Sequence, residues 1–338
     1  MRPMKKILLL LECMLLVSSC SEEAVERRGG MTTIELLPRI ENLPQVRDAV
    51  SGAVFPANGT YGLFVCKHEE SPADFVAFAT GMNNLRALWS GGTWKYNYEG
   101  STSMFEKFSI SGTDAADFYA YAPYATGIKN PRSIPFSVSD KKDLMWAEQN
   151  ARTDNRNIAP DGTTKQVSLT FHHAMAWVRF QIRMKNQQIG LVLNTITLKK
   201  TAQAIDKTRL YTKGTFNAMD GSLLDLTDGS NLGITYNTNL TAVYSANSDK
   251  YDACDMLLVP VDDIDDEGLE VVFNVNGVNL SGSLKIKRED TRIKDTNLYG
   301  FRAGYRYIFK VVLDNYARLE GVVIDKEWKP EEIVNVEI

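Results

Sequence analysis

Three histidines, His68, His172 and His173, are the whole imidazole supply of this 338-residue chain, so any histidine-based triad or metal site has to draw on them. Neighbouring residues on a strand point to opposite faces, so His172 and His173 cannot both grip one ion from a regular strand, and a structural role is the better reading. The acidic run Asp262, Asp263, Asp265, Asp266 and Glu267 follows Pro260. Its oxygens would suit calcium, but the spacing is not that of an EF-hand loop, and a solvated turn between two strands explains it better. Trp89, Trp94, Tyr96 and Tyr98 bracket Ser-Gly-Gly-Thr. They would give a sugar a stacking platform, and core packing of alternating aromatics explains them equally well. The chain has no Gly-rich phosphate loop, no Gly-x-Ser-x-Gly elbow, no His-Glu-x-x-His and no pair of Cys-x-x-Cys. No catalytic residue, cofactor or metal is specified, and the expectation is that the chain is not an enzyme.

The remaining candidate chemistry acts on the protein itself. Arg2, Lys5 and Lys6 precede an apolar run at residues 7–17, broken only by Glu12. That is a secretory signal peptide, too short to span a bilayer with ordinary flanks. Ser18, Ser19 and Cys20 resemble the lipobox of bacterial lipoproteins, in which the cysteine is acylated and becomes the first mature residue. The alternative is an ordinary signal peptide with an incidental cysteine. Each buried methylene contributes about 0.8 kcal/mol, so several acyl chains on Cys20 would hold the protein at a membrane without a spanning helix. Ser21, Glu22 and Glu23 resemble the acidic signal that sends some lipoproteins to the outer face of the outer membrane.

What has to position these residues is a β-rich chain. Short runs of Val, Ile, Tyr and Phe alternate with period two between Gly, Pro, Asn and Asp, while only residues 102–108 and 46–51 read as one or two helical turns. Asn276-Gly277 predicts a type I′ hairpin with Val271, Phe273 and Val275 on one face. Within residues 167–184 the apolar parity changes midway, which predicts a bulge or a strand that leaves one sheet for another. The polar stretch 137–166 is the expected domain boundary. The predicted organisation is therefore a signal peptide at 1–19, a lipidated tether at 20–33, and β-sandwich domains at 34–163 and 164–338.

The whole chain carries 38 basic and 42 acidic residues; without the three basic residues and Glu12 of residues 1–19, 35 and 41 remain, a formal net charge of −6. No basic field recruits nucleic acid. Outside the leader and Cys20 only Cys66 and Cys254 remain, too few for a disulfide scaffold. A bridge between them stays open, but Cys66 reads better as a small buried hydrophobe.

Several stretches resemble the fimbrillin family, the subunits and accessory proteins of donor-strand pili. Asp117-Phe-Tyr-Ala-Tyr-Ala-Pro-Tyr124 is similar to its Phe-Tyr-Ala-Tyr-x-Pro strand, and Asp143-Leu-Met-Trp-Ala147 to the Asp-Leu-Met-x-Ala segment that follows. Leu169-Thr-Phe-His-His-Ala-Met-Ala176 resembles the Leu-x-Phe-x-His-x-x-Ala strand, making His173 the matching histidine, and Gly304-Tyr-Arg-Tyr-Ile-Phe-Lys-Val311 resembles a strand near the carboxyl end. Ile324 and Trp328 stand four apart, where the family commonly spaces them three apart. The resemblance implies an all-β protein of two tandem transthyretin-like Greek-key sandwiches without catalytic residues. It further implies assembly with other fimbrial subunits by strand exchange, after an arginine-directed cut removes an N-terminal strand. Residues 33–37 read as a first strand, so Arg28, Arg39 and Arg47 are the candidate processing positions, and Val334, Val336 and Ile338 the candidate donated strand. The expected setting is a lipid-anchored outer-membrane surface protein acting as a subunit, tip or anchor in adhesion. The alternative is a non-polymerising lipoprotein that binds glycan, through Trp89, Trp94 and Tyr96, or a host protein.

Overall fold

A computed structural model describes residues 30–41, 59–69, 75–148, 155–184, 192–202, 204, 207–230, 232–241, 252–279, 284–313 and 317–326. The first half supplies β1 (Thr32–Ile40), β2 (Thr60–Lys67), β3 (Leu85–Ser90), β4 (Thr93–Asn97), β5 (Phe108–Ile110), β6 (Ala116–Ala122), β7 (Ile134–Ser137), β8 (Met145–Ala147) and β9 (Thr164–His173). All but β7 form one eight-stranded sheet in the order β4-β3-β2-β6-β8-β9-β1-β5. The sheet rolls up until its two ends meet. Tyr96 of β4 and Phe105, just before β5, exchange backbone hydrogen bonds at 2.7 and 2.9 Å, and the Tyr96 and Phe108 rings lie 6.1 Å apart. One rolled sheet thus makes both layers of a sandwich around Ile34, Tyr61, Leu63, Phe118, Val167 and Phe171. Every residue of β6 is buried, without the alternation of a half-exposed strand. Its reverse face is covered as well, because Tyr119 and Tyr121 join Phe64 in the larger, second core.

The second half supplies β10 (Ala176–Met184), β11 (Val192–Lys200), β12 (Tyr211–Phe216), β13 (Leu223–Asp228), β14 (Ile234–Thr241), β15 (Asp252–Leu258), β16 (Leu269–Val275), β17 (Val278–Asn279), β18 (Leu284–Ile286), β19 (Arg306–Leu313) and β20 (Ala317–Asp325). Two sheets face one another here, β15-β10-β19-β20 and β14-β11-β16-β17, with β18 paired to β16. Phe180 of β10 stacks on Phe309 of β19 at 5.5 Å and meets Phe273 of the facing β16 edge-on at 6.2 Å. The protein is all-β, with tandem β-sandwich domains. The β16–β17 hairpin turns as expected: Asn276 and Gly277 both have positive φ, 51° and 80°, and Val271, Phe273 and Val275 are buried together.

Two expectations need correcting. The polar boundary at residue 163 would give β9 to the second domain, yet β9 pairs with β1 and β8 in the first sheet. The parity change marks the passage from β9 to β10 across Ala174 and Met175, where the chain leaves one sandwich for the other. The two halves also share a sheet. A third sheet, β13-β12-β7, joins β7 of the first half to β12 of the second, with Lys213 to Phe216 paired against Ser137 to Ile134. Residues 102–107 form no helix; Phe105 makes an isolated bridge to Tyr96 before β5 begins. Residues 46–51 lie outside the described residues.

Candidate functional site

The feature that stands out is β1. It enters the first sheet between β9 and β5, parallel to β9 over eight register pairs from Thr33–Thr164 to Ile40–Phe171, and antiparallel to β5 over only three. Alternation sends Thr32, Ile34, Leu36, Pro38 and Ile40 inward, while Arg39 is exposed. Thr33 and Glu41 donate their amides to Thr163 and Phe171 at 3.1 and 2.8 Å, so odd-numbered amides face β9. Pro38 therefore lacks only an N–H that would point to the other side, where β5 has already ended opposite Ile34.

Both ends of β1 are pinned by polar groups. Thr32 is completely buried. Its hydroxyl accepts from the backbone amides of Asp161 at 2.7 Å and Gly162 at 3.0 Å, and donates to the Asp161 carboxylate at 3.3 Å. The close approach is possible because Gly30 lacks a side chain: a Cβ on it would fall 2.6 Å from the Gly162 backbone. At the far end the Glu41 carboxylate lies 2.7 Å from His172 Nδ1, with Glu148 3.4 Å from Nε2. Sequence reasoning named residues 33–37 as a strand but missed Thr32. Its partners are some 129 positions away, and the one local signal was the Asp161-Gly162 turn dipeptide.

The other candidates resolve into structure. His68 Nδ1 sits 2.9 Å from Asp117, which also accepts the Asn157 amide at 2.7 Å; His173 sits 2.7 Å from Asp143. The acidic turn is neither a calcium loop nor simply solvated, because most of its carboxylates already hold cations. Asp262 binds Arg302 at 2.6 Å, Asp263 binds Arg288 and Lys207 at 2.7 and 3.0 Å, and Glu267 binds Lys285 at 2.5 Å. Asp265 accepts the Thr208 hydroxyl at 2.9 Å. Among the described residues no cluster of three or more His, Cys, Asp or Glu side chains is arranged to hold a metal.

The aromatic platform is a correction. A sugar stacks on ring faces open to water, but Trp94 and Tyr96 are only 5% and 2% exposed. They line the first core, with Tyr61 packed edge-on against Trp94 at 4.9 Å and hydroxyl to hydroxyl with Tyr96 at 3.2 Å. Trp89 is half-buried against Trp94. Cys66 and Cys254 are free and buried, and burial pushes both thiols up to about 12, far from a reactive thiolate. Cys20, Arg28, Arg47, Trp328, Val334, Val336 and Ile338 lie outside the described residues.

The fimbrillin-like family pattern matches residues 49–329, most of the chain. The chain belongs to that family. No curated protein matches the sequence. This fimbrillin-like chain is similar in fold to a candidate cell adhesion protein from Bacteroides uniformis (12% identity, TM-score 0.51, covering 90% of this chain and 98% of that one). It is similar also to one from Bacteroides ovatus (16% identity, TM-score 0.51, covering 88% and 96%). Strand β1 precedes the matched span, although it is built into the first sheet. Among the described residues no helix is long and apolar enough to cross a membrane.

Proposed function

We propose that this fimbrillin-like protein is a cell-surface lipoprotein, anchored through acylated Cys20, that serves as a fimbrial subunit, tip or anchor in adhesion and assembles by exchanging β1 for a strand of another subunit. The observation that carries the reading is the placement of β1: an amino-terminal strand, with an exposed arginine next to its last residue, that is paired on both sides and fills the first core with alternate side chains. A cut at Arg47 would separate the whole of β1, and one at Arg39 all of it but Ile40, from the rest of the sheet covalently while leaving β5 and β9 with open edges. Emptying the groove would expose Ile34, Leu36 and Ile40 contacts worth about 1.5–3 kcal/mol each, so the cut protein is driven to take up a replacement. An incoming strand would gain affinity from the backbone ladder and register from its alternate side chains. Val334, Val336 and Ile338 alternate suitably for donation to a neighbour. A stand-alone glycan binder is less well supported, since two of the rings that would have formed its platform, Trp94 and Tyr96, are buried.

The test is limited cleavage of the full chain with an arginine-specific protease, followed by addition of a labelled peptide of residues 32–40. Uptake by the cut chain and not by the intact one is the expected result. A cut chain that takes up no peptide would overturn strand exchange at this position.

A further inference from the structure

Beneath β1 the groove is not uniformly apolar. Along most of its length it meets Ile34, Leu36 and Ile40 with other aliphatic and aromatic side chains, but at the amino end two backbone amides, of Asp161 and Gly162, converge on one buried oxygen. That oxygen belongs to Thr32. Most of the remaining polar capacity of this turn is already used: the Asp161 carboxylate accepts from the Thr163 amide at 3.1 Å and the Thr163 hydroxyl at 2.6 Å, and binds Lys165 at 2.6 Å. The two amides would lose their acceptor with β1.

We propose that this pair of amides makes the groove selective: a strand that replaces β1 must carry serine or threonine at the Thr32 position, two residues beyond its run of alternate aliphatics. The inference rests on strand exchange as proposed above and names the partner's chemistry. A side chain without an acceptor would turn carbon toward these two N–H groups on the groove side of the exposed Asp161-Gly162 turn, whereas a hydroxyl restores both bonds in place. Two hydrogen bonds lost at about 0.5–1.5 kcal/mol each weaken an interaction on the order of tenfold to a hundredfold.

The consequence concerns which strand belongs here. Residues 332–338 of this same chain, Glu-Ile-Val-Asn-Val-Glu-Ile, contain no serine or threonine. With Val334, Val336 and Ile338 turned inward, Asn335 faces the opposite side and Glu332 takes the Thr32 position, where its carboxylate would be forced against that of Asp161, 3.3 Å from the Thr32 hydroxyl. The groove therefore favours a strand of a different subunit over residues 332–338 of a second copy, so the chain joins a mixed assembly in preference to a filament of itself.

The cut full chain loaded with labelled 32–40 peptide provides the competition assay. Unlabelled peptide of the native sequence and its Thr32→Ser version should displace the label at similar concentrations. The Thr32→Val version, which keeps the size and removes the oxygen, should need tenfold to a hundredfold more, and so should a peptide of residues 332–338. Equal displacement by the valine peptide or by the 332–338 peptide overturns the selection while leaving exchange intact. Failure of the native peptide to enter overturns exchange, and the selection falls with it. In the uncut protein, Thr32→Val should speed hydrogen exchange at the Asp161 and Gly162 amides at least tenfold while Thr32→Ser does not; unchanged protection in the valine variant would remove the hydroxyl from the account.

Discussion

At the scale of single residues, the polar side chains here hold strands in place, and their charge states set when they do so. Asp263 shows it. The hydrogen bond from the Arg288 guanidinium, helped by Lys207, keeps its carboxyl below the ordinary carboxylate range. An acid whose folded pKa is depressed stabilises the fold fully above its unfolded value of about 4, and that contribution fades as pH falls through the folded value. Asp263→Asn should therefore cost about 1 kcal/mol at pH 7, kept small by partial exposure, and almost nothing near pH 2. Urea midpoints at the two pH values check this; an equal loss at both would mean that shape, not charge, is what matters. Cys20→Ala should release the protein from membranes into the soluble fraction, as cell fractionation would report, because the acyl chains provide the proposed hold. The burial of Trp94 and Tyr96 was not legible from sequence, since alternating aromatics look alike whether their faces meet water or a core. What decides it is Tyr61, distant in sequence, packed against both.

At the scale of elements, what the sequence made legible was local. The Asn276-Gly277 hairpin follows from two residues tolerant of positive φ, and the alternation of β16 follows from its one-sided burial. The parity change before β10 was visible too, but not which sheet each piece joins, because β9 is claimed by β1 from more than a hundred residues upstream. The β7–β12 pairing had no local signal at all. A similar long reach joins the β12–β13 turn to β8. Gly221 there has φ +77°, and a Cβ on it would fall 2.1 Å from the Trp146 indole nitrogen. Trp146 in turn packs against His172 at 5.4 Å. Gly221→Ala should destabilise the protein by about 1–3 kcal/mol through strain and displacement of that indole, read as a lower thermal midpoint. A neutral variant would show that Trp146 has room to move.

At the scale of the whole molecule, the two sandwiches share a sheet and a core. Phe64, Tyr119 and Tyr121 of the first half lie in the same buried cluster as Phe180, Phe273 and Phe309 of the second. Calorimetry should accordingly give one unfolding transition, with calorimetric and van't Hoff enthalpies in agreement, where independent domains would give two. A fragment beginning at residue 164 should fold poorly, because it carries β9 without β1 and β8, and β12 without β7. The parallel course of β1 and β9 has a mechanical outcome as well. If the amino end is held and the rest of the protein is dragged away, the load enters β1 at its start and leaves β9 at its finish. The eight paired positions are then pulled lengthwise all together, in shear, and none can peel open ahead of the others.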